Sequence, residues 1–89
     1  MPRVSAFYGL VIVFLYNEDR HTGRPHFHVE FEGRWVSYDI ATLAPLGGRL
    51  PSRQDRLVRR WARLHRRELL DNWQRARAKE ELVPIDPLP

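Results

Sequence analysis

Eighty-nine residues with 43% apolar side chains and ten aromatic rings are enough for one small core, which excludes a multidomain chain and a disordered one. There is no cysteine, so disulfides and thiolate–metal sites are excluded, as suits a reducing cytoplasm. The net charge of +4 is placed unevenly: residues 1–50 balance five arginines against five acids, while Arg53 to Arg67 holds seven arginines and one acid, Asp55. Such a patch suits a phosphate backbone or an acidic protein partner.

The opening Met1-Pro2-Arg3 lacks the apolar core and cleavage site of a signal peptide, so a cytoplasmic location without membrane attachment is expected. Leu10 to Tyr16 is apolar throughout, too short to span a bilayer, and reads as a central strand covered on both faces. Asn17 to Pro25 is a polar loop that carries His21 and Arg24. His26 to Glu32 is the second strand, with Phe27, Val29 and Phe31 on one face and His26, His28 and Glu30 on the other. A two-residue turn at Glu32-Gly33 leads into the third strand, Arg34 to Ile40. That register sets Val29 opposite Val36, Phe27 opposite Tyr38 and His26 opposite Asp39, keeping the apolar residues together.

Leu43 to Leu50, with Pro45 and Gly47-Gly48, supports only a short edge strand. An edge left uncovered there would allow a homodimer. Ser52 is the expected N-cap of a helix, with Asp55 completing a capping-box-like arrangement. Leu57, Val58, Trp61, Ala62, His65, Leu69, Asn72, Trp73 and Ala76 then recur at helical spacing over 52–79, and a kink is expected near His65–Arg67. Residues 80–89, with three prolines, form an extended tail.

The expected fold is therefore α+β. One domain, residues 1–89, holds a three- or four-stranded antiparallel sheet (4–50), a long C-terminal helix packed on one face (52–79) and an extended tail (80–89). With the helix on the Phe27/Val29 face, the histidine face should be the open one.

Residues two apart on a strand are about 7 Å apart, so His26 and His28 could share a proton relay, a phosphate or a metal. As an acid–base site, His26 oriented by Asp39, with His28 as second titrating group, would suit cleavage of an RNA phosphodiester. As a metal site, the two histidines with Asp39 would offer a divalent ion such as zinc an open sphere, although no cofactor is demanded. The competing structural reading is a solvated strand face on which His and Glu tolerate water.

On the outer side of the helix Arg53, Arg56, Arg60, Arg63 and Arg67 form a stripe for nucleic acid or an acidic partner, or simply a solubilising surface. No aromatic interrupts it, so sequence-blind phosphate contact is favoured over base stacking. His65, between Trp61 and Leu69, reads as a satisfied core residue, and Trp61 and Trp73 as core anchors.

Phe7-Tyr8-Gly9, Pro25-His26-Phe27-His28-Val29, Asp39-Ile40, Leu57-Val58 with Trp61, Leu64-His65-Arg66, Glu68-Leu69-Leu70 and Asn72-Trp73 together resemble a small bacterial family catalogued as domain of unknown function 4160. Members are short prokaryotic proteins, often encoded beside a second small protein (domain of unknown function 2442), an arrangement suggestive of toxin–antitoxin pairs. The resemblance implies a cytoplasmic bacterial protein that works with a small partner encoded by a neighbouring gene, and it implies no defined activity. Two features depart from the family pattern: the charged loop before His26, and Thr42-Leu43 where Thr-Gly is usual.

Overall fold

The computed structural model describes residues 2–15 and 23–89. Five strands, β1 (Arg3–Phe7), β2 (Leu10–Val13), β3 (His26–Phe31), β4 (Arg34–Asp39) and β5 (Pro45–Gly47), form one antiparallel sheet in sequential order. Two helices follow, α1 (Ser52–Leu64) and α2 (Arg66–Arg77). The fold is α+β as the pattern predicts, with one strand more than expected and two helices in place of one kinked helix.

The additional strand is β1, which returns on β2 through a two-residue turn at Tyr8 (φ +52) and Gly9 (φ +79). The β3–β4 turn repeats this arrangement with Glu32 (φ +49) and Gly33 (φ +80). Positive φ at both central residues matches the twist of the flanking strands and fixes a two-residue register. The pairing His26↔Asp39, Phe27↔Tyr38, His28↔Ser37, Val29↔Val36 and Glu30↔Trp35 is the one the alternation predicts. β2 ends at Val13, short of the expected Tyr16, which lies outside the described residues together with Asn17 to Thr22 and so His21.

α1 lays Val58, Trp61 and Ala62 on the sheet, all fully buried. The Trp61 ring packs 5.2 Å from Phe7 and 6.1 Å from Phe27, and its indole N–H donates to the Asp86 carbonyl at 2.8 Å. The expected Ser52 cap is not formed. Pro51 is the N-cap and no side chain caps the helix, because Asp55 faces the sheet, where it accepts the Tyr38 hydroxyl at 2.6 Å and Arg59 Nε at 3.1 Å. Burial and the bond to Asp55 push the Tyr38 hydroxyl above its ordinary pKa.

The helices separate at His65 (φ −121, ψ 26), whose ring packs on Trp61 and whose Nδ1–H donates to Glu68. Beyond the break α2 packs against β3. The tail returns without helix: Asn72 exchanges two 2.8 Å bonds with the Val83 backbone, and the Ile85 N–H donates to the Val4 carbonyl at 2.7 Å. Ile85 and Leu88 are buried against the core.

Candidate functional site

Two surfaces hold the residues singled out from sequence. The first is the β3–β4 end of the sheet. There His26 and His28 lie side by side with ring centroids 5.2 Å apart, while Asp39 is the register partner of His26. The expectation that both histidines lie open is corrected: His26 is only 7% exposed, and His28 is half-buried. Trp73 of α2 packs 4.8 Å from the His26 ring at a tilt of 52°, covering the side that sheet alternation alone would leave to water.

Asp39 does not receive the His26 Nδ1 proton. That hydrogen goes to the Arg24 carbonyl at 2.7 Å; a carbonyl can only accept, so in the neutral ring Nε2 is the acceptor nitrogen. Asp39 acts one step back, accepting Arg24 Nε at 2.7 Å and the Thr42 amide at 2.9 Å. Burial alone would raise its pKa, but the bonds from Thr42, Arg24 and Ala41 outweigh it and hold the carboxyl below its ordinary value. The network thus runs Asp39–Arg24–His26, with Arg66 Nε donating to the neighbouring Ile40 carbonyl at 3.0 Å.

Arg24 and Trp73 are the members missed from sequence. Arg24 stands two residues before His26, and Trp73 adjoins Asn72 in the family-like helix motif, but neither position announces contact with His26. Among the described residues no group of three or more His, Asp and Glu side chains could hold a metal ion.

The second surface is the outer side of α1. Arg53, Arg56, Arg60 and Arg63 project there in one exposed row, whereas Arg67, expected on the same helix, lies exposed at the start of α2, beyond the break at His65. An open groove is lined by Arg53, Arg56, Leu57, Arg59, Arg60 and Arg63. Arg59 is tied to Asp55, whereas none of the five stripe arginines forms an ion pair among the described residues. Unpaired guanidiniums at three- and four-residue steps form a positive ridge suited to a run of anionic groups.

The model of the family described as "Domain of unknown function (DUF4160)" matches residues 9–74 of the chain, which takes in the histidine strand, the arginine helix and Trp73. No curated protein and no solved structure matches the chain.

Proposed function

The chain belongs to the DUF4160 family, and from that premise we propose that it is the nucleic-acid-binding component of a toxin–antitoxin-like pair, gripping phosphates without reading bases. The observation that carries this reading is the row Arg53, Arg56, Arg60 and Arg63, every member exposed and, among the described residues, outside any ion pair. Arginine forks bind phosphate oxygens bidentately, and phosphate contact supplies affinity that is indifferent to sequence. The pairing with a second small protein follows from what the family resemblance implies. Cleavage by His26 and His28 has weaker support, because His26 is buried beneath Trp73 with its Nδ1 engaged by backbone.

One observation favours a second reading, in which the helix docks an acidic protein. Leu64, at the end of α1 and four residues after Arg60, is 66% exposed, which sets an apolar side chain beside the arginine row.

Titration of a labelled oligonucleotide with the full chain, read by fluorescence anisotropy, separates the two. Binding should be lost in Arg56→Glu/Arg60→Glu/Arg63→Glu, with circular dichroism unchanged. If the native chain binds no oligonucleotide but captures its gene neighbour's product through Leu64, the protein-docking reading takes its place.

A further inference from the structure

Resting on the nucleic-acid reading, we infer that the arginine row of α1 takes consecutive phosphates along one strand of a double helix rather than a free single strand. Three features of the row point this way.

The row is rigid. α1 is anchored along its inner side by buried Val58, Trp61 and Ala62, and near its start by the Tyr38–Asp55–Arg59 bonds. The roots of Arg53, Arg56, Arg60 and Arg63 are therefore fixed about 5 Å apart over roughly 15 Å of helix. Along 15 Å of duplex axis one strand carries about four phosphates, at 3.4 Å of rise each. Four guanidiniums on fixed roots thus face a preformed array, whereas a flexible strand would first have to be ordered.

No aromatic among the described residues serves the row. Trp61 and Tyr38, the rings nearest α1, are fully buried. Among the described residues the exposed aromatics are Tyr8, in the β1–β2 turn, and Trp35, which alternates on β4 with the core-facing Val36 and Tyr38 and so points away from α1. Single-strand binders draw roughly 1–3 kcal/mol per base from stacking on such rings, and this row has none to offer.

The row is also narrow. Steps of three, four and three residues keep the side chains in one fan of about 80° on the helix, the footprint of a single phosphate ridge.

The test titrates the full chain, at low salt, into a labelled duplex DNA, the matching duplex RNA and each separated strand. Duplex should bind at least about tenfold more tightly than either of its strands, and Trp35→Ala should leave that affinity unchanged. A preference seen with only one kind of duplex supports the inference and assigns that kind. Single strands bound as tightly as duplex, or loss of binding in Trp35→Ala, overturns it. In either case continued sensitivity to Arg56→Glu/Arg60→Glu/Arg63→Glu leaves the nucleic-acid reading standing. Failure to bind any of these probes removes that reading, and this inference with it.

Discussion

His26 and His28 differ in kind although they share a strand face. His26 is enclosed by Trp73 and bonded to the Arg24 carbonyl, so His26→Ala should cost about 2–3 kcal/mol in urea unfolding. His28 is half-buried, and His28→Ala should cost less than about 1 kcal/mol in the same assay. The alternation of residues 26–31 made their shared face legible in the sequence. It held no sign that Trp73, more than forty positions later, would close over one of them, because a period of two describes a strand and not what packs on it. Asp39 carries a pH signature. Its folded pKa lies below the ordinary 3.8, so its contribution is complete above that value and is lost as pH falls through the lower folded one. Asp39→Asn should therefore destabilise by about 2 kcal/mol at neutral pH, and the gap from the native chain should shrink in melts taken under acid conditions. Leu43 sits at φ +62, where a glycine would be at ease, and it keeps that strained position while its side chain is buried in the core.

Among the elements, the β3–β4 hairpin was the most readable, since apolar alternation and the Glu32-Gly33 turn demand the same register. β1 was hidden because a bulge between Arg3 and Ser5 disturbs its alternation, leaving no clean period of two. The spacing predicts the helical face from Val58 to Ala76 but only a kink at its middle, because His65 fits the apolar stripe while its backbone leaves the helix. Ser52 and Asp55 resembled a capping box by spacing, yet the Tyr38 hydroxyl claims the carboxylate, a contact between sheet and helix that local spacing cannot encode. α2 ends in a Schellman arrangement, with the Glu80 N–H on the Arg75 carbonyl, the Lys79 N–H on the Ala76 carbonyl, and Lys79 at φ +58. Lys79→Gly should raise stability by roughly 0.5–1 kcal/mol in thermal or urea unfolding, since glycine carries no penalty at that φ. Asn72→Ala should cost about 2 kcal/mol and speed hydrogen exchange at the Val83 amide, because that side chain makes both bonds that hold the Val83 backbone to α2.

For the molecule as a whole, the sheet and its buried inner face serve to hold one helix with its arginines outward. The first fifty residues are electrically neutral and the excess positive charge lies in the remainder, concentrated on the helices. Among the described residues no helix is long and apolar enough to cross a membrane. One sheet edge is the three-residue, exposed β5, and the other is met by the tail through Ile85 and Val4. The stripe was legible because arginines at helical spacing declare their own face, whereas its freedom from ion pairs among the described residues required the fold. The most direct measurement is the salt dependence of the affinity of the native chain for duplex DNA, set beside that of Arg60→Ala. Four phosphate contacts predict a slope of log K against log salt of roughly −3 to −4, made shallower by about one in the variant. A slope near zero, or one that Arg60→Ala leaves unchanged, would contradict the assignment of the α1 row as the nucleic-acid surface.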